Sequence, residues 1–216
     1  MDSLVPIDRS TWARSETYDH FRDAVPCTVA LTFEIDVTEA QARRRAARRK
    51  AYLAQIWAIA HAVNGRSEFR MALGGEGEPA VWSTVHPSFT VFNAERETFS
   101  NLWCPYSPDF ATFHAQASEL MEEHSAPTAL FPQAERPANL FDVSSLPWRR
   151  FTGMVLDVEG GRDHLLPIFT IGRCEEREGR LVAPLAIQVS HAAADGFHLC
   201  RLADDIQALA ADPGWM

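Results

Sequence analysis

The chain has 216 residues, 46% of them apolar, and a formal net charge of −9. That length suits one domain with a substantial core. The acidic balance argues against general affinity for nucleic acid or an anionic membrane surface. Four cysteines, Cys27, Cys104, Cys174 and Cys200, form no Cys-x-x-Cys pair and read as reduced thiols of a cytoplasmic protein. The sequence carries no signal-peptide pattern and no apolar run long enough to span a bilayer.

Residues 10–22 read as a short helix. Residues 27–36 alternate, with Cys27, Val29, Leu31, Phe33 and Ile35 on one face and Thr28, Ala30, Thr32, Glu34 and Asp36 on the other. That is the period of a strand. Thr38-Glu39-Ala40-Gln41 has the pattern of a capping box and opens a helical region. It carries Arg43, Arg44, Arg45, Arg48, Arg49 and Lys50, a run that ordinarily reads as a solvated helix face. Residues 52–63 predict a helix apolar on most faces, hence buried. Residues 74–79 are a loop, and strands follow at 89–93 and 98–103. Phe110, Phe113, Ala117, Leu120 and Met121 have helical spacing. Residues 125–139 are proline-rich and irregular. Strands are expected at 152–158 and 168–175. After the turn at Glu178-Gly179 comes a strand ending at Ser190, then a helix over 197–210. No repeat or linker divides the chain, so 1–216 is expected to be one domain. The fold class is α/β, a two-layer sandwich of one mixed sheet covered by helices.

The segment Gln188-Val189-Ser190-His191-Ala192-Ala193-Ala194-Asp195-Gly196-Phe197 is the most informative in the chain. It places His191 where a strand leaves the sheet and Asp195 where a helix begins. An imidazole there can serve as a general base, because its ordinary pKa of about 6.5 lies near working pH. The three alanines let another group come close to the ring. Taken alone, His191 reads equally as a packed interior residue and Asp195 as a plain N-cap.

His191-Ala192-Ala193-Ala194-Asp195-Gly196-Phe197-His198 resembles the active-site segment of the chloramphenicol acetyltransferase family. Further blocks fall in that family's order: Ile7-Asp8 with Trp12-Ala13-Arg14, Pro26-Cys27, Phe69-Arg70-Met71, Phe89-Thr90-Val91-Phe92, Glu97-Thr98-Phe99, Cys104-Pro105-Tyr106-Ser107, Phe131-Pro132-Gln133, Val143-Ser144-Ser145-Leu146-Pro147-Trp148 and Pro167-Ile168-Phe169-Thr170. A looser His-x-x-x-Asp-Gly also occurs in dihydrolipoamide acyltransferases and peptide-synthetase condensation domains.

The resemblance implies an O-acetyltransferase that moves acetyl from acetyl-CoA, its co-substrate, to a hydroxyl of chloramphenicol or a similar small alcohol, giving antibiotic resistance. It implies a ternary complex and a homotrimer with active sites between subunits. By it, His191 is the base and Ser144 the oxyanion donor. Asp195, paired with Arg14, orients the site. Thr170 helps to hold water near the intermediate. The acceptor pocket would include Phe21, Cys27, Val29, Phe99, Phe131, Asp142 and Leu156. Coenzyme A would meet Lys50, Trp148 and Cys174. Several positions depart from the family: Ser190 replaces the first His of a pair, Phe21 a Tyr, Val29 a larger aromatic, Asp142 an Asn and Cys174 an aromatic. Two alternatives follow, namely acylation of a different hydroxyl acceptor and a ligand-binding homologue with weak catalysis.

His20, His61, His86, His114, His124, His164 and His198 show no ligand spacing with cysteine or carboxylate, so no metal is expected. His61 and His198 read as packing residues. Gly74-Gly75-Glu76-Gly77 carries carboxylate and is no phosphate loop.

Overall fold

The computed structural model describes residues 2–124, 129–156 and 163–216. In chain order its elements are β1 (Leu4–Pro6), α1 (Ser15–Asp19), β2 (Thr28–Asp36), α2 (Thr38–Ala46), α3 (Ala51–Asn64), β3 (Met71–Leu73), β4 (Pro79–Trp82), β5 (His86–Asn93), β6 (Thr98–Trp103), α4 (Phe110–Glu123), β7 (Leu140–Leu146), β8 (Ile168–Gly172), β9 (Glu175–Arg177), β10 (Arg180–Ser190) and α5 (Gly196–Ala211). The main sheet runs β2-β10-β8-β7-β5-β6, with β9 paired to β10. Contacts β5–β7 and β7–β8 are parallel, and the rest are antiparallel. A smaller antiparallel sheet, β1-β4-β3, was not anticipated from the sequence. Its strands are too short to show a period.

Side chains alternate across a sheet, so the register sorts residues by face. Phe89, Val143, Phe169, Leu185, Ile187 and Val189 share one face and are buried against Leu53, Ile56 and Trp57 of α3 and Leu199, Leu202 and Ile206 of α5. Each such side chain contributes roughly 1.5–3 kcal/mol on burial. The opposite face carries Ser88, Asp142, Ser144, Thr170, Ala186 and Gln188. On this polar-and-small face Ser88, Thr170, Ala186 and Gln188 are buried, and Asp142 and Ser144 are half-buried. The two-layer mixed α/β architecture expected from the sequence is therefore the one observed.

Several local expectations need correction. The helix over 10–22 is shorter: α1 begins at Ser15 and continues as a π-turn, His20–Ala24. Its start is displaced because Asp8 folds residues 8–11 into a turn, accepting from Ser10 N at 3.0 Å and Ser10 Oγ at 2.6 Å. Thr38 is not a capping residue. The N-cap of α2 is Val37, and the Thr38 hydroxyl instead donates to Asp36 Oδ1 at 2.7 Å and accepts from Leu181 N at 2.8 Å, which ties α2 to β10. The strand expected at 152–158 is irregular over 152–156, and 157–158 lie outside the described residues. There the Leu156 backbone pairs with a side chain: Gln188 Oε1 accepts from Leu156 N at 2.9 Å and Gln188 Nε2 donates to Leu156 O at 2.6 Å. The strand expected at 168–175 is two pieces, β8 and β9, broken at Arg173–Cys174.

Of the irregular 125–139 stretch, residues 125–128 lie outside the described ones. The remainder lines the edge strand β6: Asn101 N donates to Leu130 O at 2.7 Å and Trp103 N to Gln133 Oε1 at 2.7 Å. Covering an edge in this way satisfies its free backbone groups.

Gly172 tests how tightly the segment over β8 is seated. A Cβ there would collide with Pro184 Cγ and stand 2.8 Å from Phe151 Cε1. Gly172→Ala is expected to cost about 1–3 kcal/mol through overpacking, measured as a shift in urea midpoint. A midpoint unchanged from wild type would mean that Phe151 moves freely aside.

Candidate active site

The His191 half of the site is built by the end of β10. The β2–β10 ladder runs from Asp36↔Val182 to Thr28↔Ser190, and His191 N donates to Cys27 O at 2.9 Å, which carries pairing one residue further. The chain then turns sharply, with Ala193 N and Ala194 N both donating to Ser190 O at 3.0 and 3.1 Å. Ala192, Ala193 and Ala194 are fully buried, so larger side chains would not fit this turn without rearrangement. The sequence marks the turn's end with Asp195, which caps α5 by accepting from Phe197 N at 3.0 Å.

The His191 ring is held by packing: Nδ1 is buried with no hydrogen-bond partner among the described residues. The ring lies against Phe21, centroid to centroid 3.7 Å with planes 12° apart. The π-turn brings Phe21 to that position. Cys27 stands across from His191 and Val29 pairs with Val189, so Phe21, Cys27 and Val29 gather around the imidazole.

Arg14 and Asp195 form the expected pair. Arg14 Nη1 donates to Asp195 Oδ2 at 2.6 Å, and Arg14 Nη2 donates to the His191 carbonyl at 3.3 Å. His198 Nδ1 stands 2.8 Å from Asp195 Oδ1. Partial burial pushes the Asp195 carboxyl up, but the hydrogen bonds from His198 and Arg14 and their positive charge prevail and lower it to about 2. His198 was read as a packing residue. The readable signal was its place three positions after an N-capping Asp, where N3 side chains reach back to the cap.

The second cluster lies on the other face of the sheet. Ser144 of β7 and Thr170 of β8 are register partners, so their hydroxyls meet at 2.9 Å, and Ser144 Oγ is 3.3 Å from Phe169 O. Asp142 pairs with Ser88 and Phe99 with Phe92 on the same face. Trp148 packs edge-on to Phe92 at 4.8 Å. Arg136 lies 4.4 Å over the Phe131 ring and donates to Asn101 Oδ1 at 3.0 Å. Leu156 joins this face through Gln188. Phe99, Phe131 and Trp148 are each about half exposed.

Lys50 precedes α3, where its backbone N donates to His114 Nε2 at 3.1 Å and its ammonium lies 3.6 Å from Glu122. Burial raises the Cys174 thiol pKa, against the pull of Arg45 and Arg44. Arg43, Arg45, Arg48 and Lys50 of the basic run are exposed, as expected of a solvated face, and Arg44 and Arg49 are half-buried.

One chain does not bring these two clusters together. Ala186 is level with Thr170 and lies five positions before His191, about 16 Å along the strand at roughly 3.3 Å per residue. Ser144 is two strands across from β10, a further ~9.6 Å at about 4.8 Å per spacing. His191 and Ser144 thus stand about 19 Å apart. By alternation His191 falls in line with Val189, on the face opposite Ser144.

The architecture is that of acyltransferase cores. A solved chloramphenicol acetyltransferase superposes with a TM-score of 0.82 at 24% identity, covering 96% of this chain and 99% of its own. The cubic core of the pyruvate dehydrogenase multienzyme complex superposes at 0.69 and 20% identity, covering 92% of this chain and 87% of its own. The family model described as chloramphenicol acetyltransferase matches residues 3–207. Chloramphenicol acetyltransferase of Streptomyces acrimycini is 58% identical over 211 residues, covering 98% of this chain and 96% of the relative. That of Clostridioides difficile is 37% identical over 203 residues, covering 94% of each. The chain belongs to the chloramphenicol acetyltransferase family.

The lowered Asp195 carboxyl makes a prediction about stability. A depressed folded-state pKa stabilises above the unfolded value near 3.8, and the contribution is lost as pH falls through about 2. Asp195→Ala is expected to be less stable than wild type at pH 6, with the difference shrinking between about pH 4 and pH 2. Urea midpoints across that range measure it, and a constant gap would show that the pair adds no pH-linked stability.

Proposed function

We propose that this protein transfers the acetyl group of acetyl-coenzyme A to a hydroxyl of chloramphenicol and thereby confers resistance to it. The observation that carries the reading is the His191–Asp195–Arg14 arrangement at the end of β10, in a chain 58% identical to an acetyltransferase of that name. His191 takes the hydroxyl proton at Nε2, the nitrogen left available while Nδ1 is buried. The hydroxyl oxygen attacks the acetyl carbonyl carbon, and the tetrahedral oxyanion is stabilised by the Ser144 hydroxyl, which Thr170 holds in place. Collapse breaks the carbon–sulfur bond. The proton on His191 passes to the departing thiolate, so the imidazole ends neutral. Asp195 and Arg14 fix the backbone that carries the base.

The separation of about 19 Å supports a site assembled between copies, with His191 from one subunit and Ser144 from its neighbour, in a homotrimer. Phe21, Cys27 and Val29 would meet the acceptor from the first subunit, and Phe99, Phe131, Asp142 and Leu156 from the second. Lys50, Trp148 and Cys174, with Arg44 and Arg45 nearby, suit the anionic and aromatic parts of coenzyme A. Each chain serves as one acetyltransferase domain. No described helix is long and apolar enough to cross a membrane, and the free cysteines suit a reducing cytoplasm.

The direct test follows release of free coenzyme A thiol with chloramphenicol and a panel of other small alcohols. Turnover with chloramphenicol is expected. Turnover confined to another alcohol would move the acceptor, and binding without thiol release would remove the enzymatic reading. His191→Ala is expected to abolish turnover. Ser144→Ala is expected to lower kcat about a hundredfold with the Michaelis constants little changed, because an oxyanion donor acts when charge develops. A change in Michaelis constant alone would reduce Ser144 to a binding residue.

The shared site has its own test. Subunits of His191→Ala and Ser144→Ala, denatured together and refolded, are expected to regain activity that neither variant has alone, because some interfaces then hold an intact His191 facing an intact Ser144. A mixture no more active than its parts, or light scattering that reports a monomer near 24.1 kDa, counts against a site between copies.

A further inference from the structure

We propose that His198 is a positioning residue of the acyl-transfer site, acting on His191 through Asp195 and Arg14. The inference rests on His191 being the base. It begins with an ambiguity at His198 Nδ1, which lies 2.8 Å from Asp195 Oδ1 and 3.3 Å from Asp195 N. One nitrogen cannot donate to the carboxylate and accept from the amide at once. The contact to the carboxylate is the shorter and the better placed as a hydrogen bond, so Nδ1 carries a proton directed at Oδ1.

The Asp195 carboxylate is then held from three sides. Arg14 Nη1 takes Oδ2, while His198 Nδ1 and Phe197 N take Oδ1. Arg14 uses its other terminal nitrogen on the carbonyl of His191. That carbonyl and the His191 amide, bonded to Cys27 O, fix the backbone from which the base projects. Losing the His198 donor frees the carboxylate to turn about its Cβ–Cγ bond, and Arg14, bound to it, shifts with it. Small displacements of a reacting group are costly to rate.

The surroundings fit this role. His198 is largely buried, with its side chain 16% exposed. It shares a cleft of about 210 Å³ with Arg14, Ser67 and Glu68 among Trp12 and Met71. Arg14 and His198 thus border the same cleft, and both reach the Asp195 carboxylate. As the N3 residue of α5, His198 also stands where a capping box reaches back to the N-cap; its shorter contact is to the carboxylate that holds Arg14.

The test compares His198→Leu, which fills similar space without a donor, with His198→Asn, whose amide nitrogen can take the place of Nδ1. His198→Leu is expected to lower kcat about tenfold, with both Michaelis constants changed less than about twofold. His198→Asn is expected to remain within about threefold of wild type. In an Asp195→Ala background, His198→Leu should cost less than about twofold more, because the route runs through that carboxylate. The proposal is overturned if His198→Leu loses melting temperature but not kcat, if the Asn variant is as slow as the Leu variant, or if the effects of positions 195 and 198 multiply. Should the Leu variant fail to fold, the Asn variant decides alone, and a tenfold loss there overturns it. His191→Ala is assayed in parallel. Turnover by that variant sinks the assignment of the base, whereas a silent His198→Leu beside an inactive His191→Ala sinks only the role of His198.

Discussion

The β2–β10 ladder is the constraint on which the rest of the structure depends. It pairs nine residues of each strand, Thr28 with Ser190 through Asp36 with Val182, and His191 N extends it by one bond to Cys27. Register sets face, because a slip of one residue would exchange buried and exposed side chains along the strand. With Val189 and Ile187 committed to the core, β10 has one allowed register. His191 consequently leaves the sheet on the side of Phe21, while Ser190 and Gln188 turn to the side of Thr170.

The same geometry divides the chemistry between two surfaces. His191, its stacking partner and the Arg14–Asp195 pair lie at one strand end, and the Ser144–Thr170 hydroxyls lie mid-sheet on the opposite face. Each cluster is ordered by its own contacts. The proposed cyclic assembly would reconcile the two without distorting either: one copy's strand end would meet the Ser144 face of the next, and a heterologous contact of that kind forms a ring where its rotation closes. The apolar groups left exposed on that face, Phe99, Phe131 and Trp148, would then be matched to covering by a neighbour or a substrate.

What was legible in the sequence follows from which forces are local. The β2 alternation, the helical spacing from Phe110 to Met121 and the Asp195 cap are short-range patterns, and each appears in the structure at its expected place. Ser144 and Thr170 were singled out by family likeness; their contact could not be derived from spacing, since it depends on a parallel register between strands far apart in sequence. The misreadings share one cause. Thr152 to Leu156 has strand-like composition, yet its backbone partner is the side-chain amide of Gln188. Thr38 has capping chemistry, but a closer acceptor, Asp36, and a donor from β10 claim its hydroxyl. In each case a tertiary partner outbid a local one. The π-turn at His20–Ala24 is of the same kind, for it is tertiary contact, Phe21 on His191, that its widened turn serves.

The way the imidazole is held bears on how the base works. A nitrogen pinned by a carboxylate favours one protonation state strongly. The His191 ring is instead fixed in position by stacking on Phe21, an aromatic face that packs against imidazole by dispersion. The proposed reaction carries His191 through both states in one turnover. The arrangement therefore separates two tasks. The carboxylate of Asp195 is engaged by Arg14 and His198 in setting the backbone, and Phe21 sets the plane of the ring. The charged pair thus meets His191 on the main-chain side, at its carbonyl, and not at the ring.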